Sequence, residues 1–188
     1  MGIKEVLTDY HPELFDRIVG TDLGVFAREG LKVVVGGLPT ERFVRRWEQI
    51  RGGKNDIFCS DEKASSFSPG SVDVICLGFN LDFLDDSSLK AFFRQADSAL
   101  VQDGLIICLI NAPLFPLLAN GVSRFLRRPS FKRSFEGYAE RAGGLFDVVY
   151  EAENFPEGIT DSFAGLIVFA KKGAYGEAFK GLPYSVAA

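Results

Sequence analysis

Glycines and acids that follow apolar runs are the residues of this sequence best suited to binding a ligand or moving a proton. Gly36 and Gly37 end one such run, and glycine lets a backbone approach a ligand closely or adopt a positive φ. Asp61 and Glu62 follow the next run, at about the distance that dinucleotide-binding sites keep between their glycines and their acid. Asp82 follows a third run and is a candidate general base, because a carboxylate can accept a proton from a substrate.

Each of these features also has a purely structural interpretation. Pro39 stands in the glycine loop, and proline has no N–H to donate and a fixed φ, so the loop could be only a tight turn from strand to helix. Asp61 could be a solvated carboxylate at a strand end. Asp82, Asp85 and Asp86 could together form an acidic loop and a helix cap. Both interpretations stay open at this point.

The elements that must position these residues alternate between helix and strand. Short apolar runs rich in β-branched residues indicate buried strands, and apolar residues at helical spacing indicate amphipathic helices. This alternation predicts an α/β fold of three layers, with helices on both faces of a sheet. The predicted helices are 3–19, 22–29, 40–50, one that carries Leu89 to Leu100 and ends at Gly104, and 134–143; the predicted strands are 31–37, 56–60, 71–79, 105–110, 145–153 and 163–172.

The end of the chain departs from this alternation. The last two predicted strands are joined through Pro156 and Gly158 without room for a crossover helix, so they should pair antiparallel. The expected sheet is therefore mostly parallel and is closed by an antiparallel edge pair. We expect a single domain over 1–172, with N-terminal helices in 1–30, and an irregular tail over 173–188.

Composition and charge exclude several classes of function. The chain has 188 residues and a net charge of −4, which disfavours specific nucleic-acid binding. No apolar run is long enough for a signal peptide or a membrane span, so we expect a cytoplasmic protein. Cys59, Cys76 and Cys108 lie in strand-like runs without CxxC spacing, and there is one histidine. We therefore expect no metal site, with the three thiols packed as small hydrophobic groups.

The segment 60–110 resembles the class I S-adenosylmethionine-dependent methyltransferases, particularly the small-molecule type. In that family an acid ends a strand, a Pro-Phe loop follows, Phe-Asp-Val-Val opens the fourth strand, and a "Leu-His-His-Leu" element precedes a helix ending in "Leu-Lys-Pro-Gly-Gly". The matching positions here are Asp61, Ser66-Phe67, Val72 to Ile75, Leu81 to Leu84, and Leu100 to Gly104. The resemblance spans 31–172 and implies the three-layer, Rossmann-like methyltransferase fold.

The resemblance also implies a cofactor, S-adenosylmethionine, and a place for it. Gly36, Gly37 and Gly78 would lie against the cofactor. Asp61 or Glu62 would bind the ribose if 56–60 is the family's second strand, whereas Asp61 would contact adenine if 56–60 is the third. Asp82 falls where the family keeps groups on the acceptor side, and is the catalytic candidate.

The chain departs from the family in three ways. The family's first motif is acid-x-Gly-x-Gly-x-Gly, of which Gly36 and Gly37 are the remaining glycines. The family places two strands and two helices between its first and fourth strands, but the stretch from Gly37 to Ser71 holds one of each, so one βα unit is missing or much reduced. The Asn-Pro-Pro-Tyr motif is absent, which disfavours methylation of DNA bases or protein amides.

A basic, amphipathic insert over 112–135 contains no acid. Its apolar residues recur at helical spacing, and cations favour the carboxyl end of a helix. It could be a lid over a small-molecule acceptor, a docking surface for an acidic protein partner or phosphate, a membrane-surface helix, or a packed helix with a solvated basic edge. The cations that would bind an acidic partner are Arg124, Arg127, Arg128, Lys132 and Arg133.

Two functions remain open from the sequence. The first is a methyltransferase that transfers a methyl group from S-adenosylmethionine to a small-molecule acceptor. The second is a non-catalytic binding or scaffold subunit that keeps the fold but has lost the cofactor site. The second resembles the N-terminal domain of the anamorsin family, a methyltransferase-like fold without the usual cofactor loop; the cysteine-rich tail of that family is not found here.

Overall fold

The computed structural model describes residues 18–20, 24–36, 40–52, 55–59, 67–77, 79–111, 131, 133–153 and 164–175. Within these ranges the strands are β1 (Lys32–Gly36), β2 (Asp56–Cys59), β3 (Val72–Leu77), β4 (Leu100–Asn111), β5 (Phe146–Glu153) and β6 (Ala164–Lys171). The α-helices are α1 (Thr40–Arg51), α2 (Asp86–Ala99) and α3 (Phe135–Ala142), and two 3₁₀ helices lie at Gly24–Ala27 and Phe79–Phe83.

The six strands form one sheet in the order β2-β1-β3-β4-β6-β5. The pairs β1–β2, β1–β3 and β3–β4 are parallel, whereas β6 is antiparallel to both β4 and β5. The predicted α/β fold, a mostly parallel sheet with an antiparallel edge pair, is confirmed.

The position of β2 decides which strand of the family pattern the 56–60 run represents. In doubly wound sheets of order 3-2-1-4-5-6, the second strand lies directly beside the first and the third lies outside it. β2 pairs with β1, so it takes the second position. No strand of the described residues lies outside β2, and the loss of one βα unit stays a prediction because 53–54 and 60–66 lie outside the described residues.

Alternating side chains of the sheet build two separate hydrophobic cores. Val33 and Val35 of β1 face a core that includes Trp47 of α1 and the N-terminal residues Ile18 and Val19. Val34 faces the opposite core, which α2 and α3 cover. The alternation follows from the two-residue period of a strand, and it produces the three layers that the sequence predicts.

The packing of α2 on the second core depends on a group of aromatic rings. The ring centroid of Phe93 lies 5.1 Å from that of Phe169 on β6 and 5.7 Å from that of Phe146 on β5. All three side chains are buried. This aromatic contact joins the helix to the antiparallel part of the sheet, beyond the parallel strands that precede it in the chain.

Two expected boundaries are wrong. The predicted helix 22–29 is a short 3₁₀ helix, Gly24–Ala27, because Gly24 has a φ of +54°, outside the range of a right-handed helix. Gly104 does not end α2: the helix stops at Ala99, and Leu100 already belongs to β4. Gly104 instead lies within a bulged stretch of β4.

The bulge in β4 is visible in its register with β3. Leu100 pairs with Val72 and Leu105 with Val74, so four residues of β4 stand against one residue of β3. A Cβ added to Gly104 would lie 2.9 Å from Leu100 Cδ2 and 3.0 Å from the Val101 carbonyl oxygen. Glycine is needed there because the backbone of the bulge folds back on itself.

The beginning of the described tail is tied to the body of the protein. The Tyr175 hydroxyl accepts a hydrogen bond from the Val25 N–H at 2.9 Å and donates one to the Asp103 carbonyl at 2.5 Å. Burial raises the pKa of Tyr175 to about 12. Residues 176–188, the rest of the predicted irregular tail, lie outside the described residues.

In the described part of the chain, no helix is both long and apolar enough to cross a bilayer.

Candidate functional site

The carboxyl ends of the first three strands meet at one edge of the sheet. Gly36, the last residue of β1, pairs with Leu77, the last residue of β3. Val35 pairs with Cys59, which ends β2. The chain leaves β1 toward β2 on one side, whereas β3 lies on the other side, so the strand order reverses at β1. Such a switch point leaves a crevice outside the strand ends, where open α/β sheets bind their ligands.

The predicted cofactor residues follow these strand ends in the chain. Gly36 is the one among them that the structure describes, and it is a buried residue of β1. Gly37, Asp61, Glu62 and Gly78 lie outside the described residues. The structure therefore brings together the strand ends that precede them, and their roles in cofactor binding stay predictions.

Asp82 lies in the 3₁₀ helix Phe79–Phe83, just after β3, and is 2% exposed. The Tyr138 hydroxyl of α3 donates a hydrogen bond to its carboxylate. The Phe131 N–H donates to the Asp82 carbonyl oxygen at 2.7 Å. Asp82 is thus a buried acceptor in this structure, and its catalytic role stays a prediction.

Burial and the negative charge of Asp82 both raise the pKa of Tyr138. The phenol therefore keeps its proton at any physiological pH and remains a donor to the carboxylate. Tyr138 is a partner that the sequence analysis missed. Its signal was weak: the pair Tyr138 and Ala142, four positions apart, marks the buried face of α3, but nothing in the sequence points to an acid 56 positions away.

Asp85 and Asp86 have structural roles, as one of the two interpretations predicted. Asp85 is the N-cap of α2: its carboxylate accepts from the Ser88 N–H at 2.7 Å and from the Ser87 hydroxyl at 2.9 Å. These hydrogen bonds lower the pKa of Asp85. Asp86 binds Arg141 through two hydrogen bonds of 2.8 and 2.9 Å, and this pairing, with that to Arg133, lowers its pKa.

Arg133 was expected to contribute to an exposed basic surface, and this is wrong. Its side chain is 4% exposed and donates to the Leu84 carbonyl at 2.7 Å and to Asp86 Oδ1 at 2.8 Å. Its guanidinium also lies 5.7 Å from the Tyr138 ring centroid and 5.3 Å from that of Phe131. A planar guanidinium suits such a site because several fixed donors are satisfied at once.

The remaining cations of the predicted surface are Arg124, Arg127, Arg128 and Lys132, and all lie outside the described residues, as does the insert itself from 112 to 130. The described end of the insert, Phe131 and Arg133, is bonded to the segment that follows β3. The proposed role of the insert in binding an acidic partner thus no longer includes Arg133.

Two of the three cysteines pack as predicted. Cys76 and Cys108 are free and buried, and burial raises the pKa of both thiols. Cys59 ends β2, but its side chain is outside the described part. Among the described residues, no three His, Cys, Asp or Glu side chains come together in a group that could hold a metal ion.

Comparison with known proteins supports the fold. No protein-family model matches this sequence, and no curated protein matches it. Among solved structures, an S-adenosylmethionine-dependent methyltransferase from Mesorhizobium loti is 13% identical, with a TM-score of 0.62 over 87% of this chain and 100% of that chain. A methyltransferase in complex with the Haloferax volcanii Trm112 activator is 14% identical, with a TM-score of 0.63 over 89% and 92% of the two chains.

A third similar structure, geranyl diphosphate methyltransferase in complex with its methyl donor, is 12% identical, with a TM-score of 0.60 over 84% of this chain and 83% of that chain. At these identities the likeness defines the fold and leaves the chemistry to the site. The chain has the α/β fold of S-adenosylmethionine-dependent methyltransferases. In the described residues, this fold has a six-stranded sheet with β2 at one edge.

Proposed function

We propose that the protein binds S-adenosylmethionine in the crevice at the carboxyl ends of β1, β2 and β3. The observation that carries this proposal is the reversal of strand order at β1, with Gly36 paired to Leu77 and Val35 to Cys59. Because the carboxyl ends of the three strands lie side by side at the same edge of the sheet, an extended nucleotide-like ligand can lie across them. Structures of similar fold are methyltransferases, and one of them is in complex with this methyl donor.

In this proposal Asp61 accepts hydrogen bonds from the ribose hydroxyls, with Glu62 as its neighbour. The support for ribose rather than adenine is the pairing of β2 with β1, because the ribose acid of such folds follows the second strand. Gly36 and Gly37 would let the backbone approach the ligand, and Gly78 would do the same after β3.

The proposed reaction is transfer of a methyl group to a small-molecule acceptor in the cytoplasm. The donor supplies an activated methyl group, and the protein contributes chiefly positioning of the acceptor in line with it. A base is needed only where the acceptor must lose a proton. In that role the Asp82 carboxylate would accept the proton while its Oδ1 also accepts the hydrogen bond from the Tyr138 hydroxyl.

Calorimetric titration with S-adenosylmethionine and S-adenosylhomocysteine tests the proposal. We expect micromolar binding that Asp61→Ala abolishes. Asp56→Ala is the matched control, because it removes the same group from the opposite end of β2, where Asp56 is exposed. Loss of binding in both variants, or binding that survives Asp61→Ala, would show that the ribose acid has been assigned wrongly.

The alternative function is a non-catalytic subunit that uses the same fold to bind another protein. Two observations favour it: Pro39 and the scarcity of glycines after β1, and the lack of a strand outside β2 in the described residues. One similar structure is in complex with a methyltransferase activator, which supports a protein partner. No heat at millimolar ligand and no thermal stabilisation would favour this function, with Arg124, Arg127, Arg128 and Lys132 as candidate contacts.

A further inference from the structure

The 3₁₀ helix Phe79–Phe83 follows the end of β3, at the edge of the sheet proposed to bind the cofactor. Leu77, the last residue of β3, pairs with Gly36 at that edge. A 3₁₀ helix has poorer hydrogen-bond geometry than an α-helix, and the carbonyl groups at the end of a helix find no partner within it. The conformation of this segment therefore depends on donors from other parts of the chain.

Those donors come from the residues that precede α3. The Phe131 N–H donates to the Asp82 carbonyl at 2.7 Å, and Arg133 Nη2 donates to the Leu84 carbonyl at 2.7 Å. Arg133 Nη1 lies 3.5 Å from the Leu81 carbonyl oxygen, which also accepts from the Leu84 N–H at 3.2 Å. One guanidinium thus contacts the chain on both sides of Asp82.

The burial of Arg133 is not explained by its ion pair. Its side chain is 4% exposed, whereas its carboxylate partner Asp86 is 56% exposed and also binds Arg141 at 2.8 Å. An ion pair with so exposed a partner contributes little stability. A buried cation is costly, and an apolar side chain of similar volume often gives a fold at least as stable. The contacts with the carbonyls of the 3₁₀ segment are the ones that need a guanidinium.

We propose that Arg133 is a positioning residue for the cofactor site: from outside the crevice, its guanidinium fixes the chain that follows β3 in the conformation that lies beside the bound ligand. The inference rests on the proposed binding of S-adenosylmethionine at the ends of β1, β2 and β3. Arg133 acts through the 3₁₀ helix Phe79–Phe83 and does not touch the ligand. Because such coupling is reciprocal, a ligand in the crevice should also change the surroundings of Arg133.

Calorimetric titration with S-adenosylhomocysteine measures the effect on affinity. We expect Arg133→Met to weaken binding about tenfold, within the range by which residues remote from a ligand alter its binding. Arg51→Met is the matched control, because Arg51 also donates to backbone carbonyls, those of Phe26 and Arg28, and its guanidinium lies 5.8 Å from the Phe26 ring centroid. Arg51 ends α1, which follows β1 and returns toward the amino ends of the parallel strands, away from the crevice. This variant should bind with the affinity of the parent.

The Arg133 Nε–H signal gives a second measurement, in the unaltered protein, that a merely structural role would not change. This group is buried and donates to Asp86 Oδ1 at 3.2 Å, so its signal should be observable in the ¹⁵N-labelled full chain. The loss of the signal in Arg133→Lys, which keeps the charge, assigns it. We expect it to shift on titration with S-adenosylhomocysteine and to saturate together with the calorimetric heat.

The outcomes separate this inference from the proposed function. No heat with the parent protein would refute cofactor binding, and the positioning role with it. Three results would overturn the positioning role while cofactor binding stands: parental affinity in Arg133→Met, equal losses of affinity in Arg133→Met and Arg51→Met, or an Arg133 signal that does not shift when the ligand binds.

Discussion

Removal of the Tyr138 hydroxyl should destabilise the fold, because the buried Asp82 carboxylate loses a hydrogen-bond donor. Tyr138→Phe keeps the ring, which is fully buried, and removes the donor to a carboxylate that is 2% exposed. A hydrogen bond to a charged group contributes about 1.5–3 kcal/mol, because its loss leaves the charge less well solvated. Asp82 keeps other contacts, so we expect about 2 kcal/mol. A domain of this size should then melt about 4–8 °C lower.

Chemical denaturation followed by circular dichroism measures this loss, and a double-mutant cycle assigns it to the pair. We expect Asp82→Asn combined with Tyr138→Phe to cost clearly less than the sum of the two single variants, since both remove the same interaction. Lys90→Gln, at an exposed position of α2, should change stability by no more than about 0.5 kcal/mol. Additive single effects, or a Tyr138→Phe variant as stable as the parent, would refute the coupling.

Two further predictions concern the ends of the structure and its acid stability. Gly24→Ala should lower the free energy of unfolding by at least about 2 kcal/mol, because φ is +54° and the new Cβ would lie 1.8 Å from Tyr175 Cε1. Gly52→Ala is the comparison variant: its φ is +56° and nothing lies within 4 Å of the new Cβ, so it should cost only the backbone strain of about 1–2 kcal/mol. The lowered pKa of Asp86 means that its stabilising effect is present above its ordinary value of 3.8 and is lost as pH falls toward its folded value. Asp86→Asn should therefore flatten the stability profile below pH 4, measured by thermal melting across pH; an unchanged slope would contradict the pairing.

The strands were predictable because their burial leaves a continuous apolar signal. Residues 31–37 and 71–79 were expected as strands, and Lys32–Gly36 and Val72–Leu77 are found. The antiparallel pairing of the last two strands was predictable from the length of their connection alone, since a short connection cannot hold a crossover helix. The role of Gly104 was not predictable, because glycine both ends helices and permits bulges, and the two roles differ only in the register of β4 with β3.

The buried position of Arg133 was not predictable from the sequence, for a physical reason. Arg133 looks like one cation of a basic run, yet its place is set by the carbonyl of Leu84 and the carboxylate of Asp86, which the fold brings from 47 and more positions away. Sequence periodicity reports which face of an element is buried. It carries no information on which polar groups of different elements contact each other. Those contacts decide whether a charged residue is exposed to solvent or buried in a structural role.

In the described residues, the methyltransferase-like fold is held by two hydrophobic cores, one on each face of the sheet. The side chains of these cores include Val35 and Cys76, and Leu77 packs against them, so core packing reaches the carboxyl ends of β1 and β3. Substitutions of these strand-end side chains should therefore cost stability, whereas the candidate ligand residues Asp61 and Glu62 follow β2 in the chain. Asp61→Ala and Tyr138→Phe therefore test different parts of the molecule: we expect Asp61→Ala to remove the proposed cofactor binding, and Tyr138→Phe to lower the melting temperature through the loss of its hydrogen bond to Asp82.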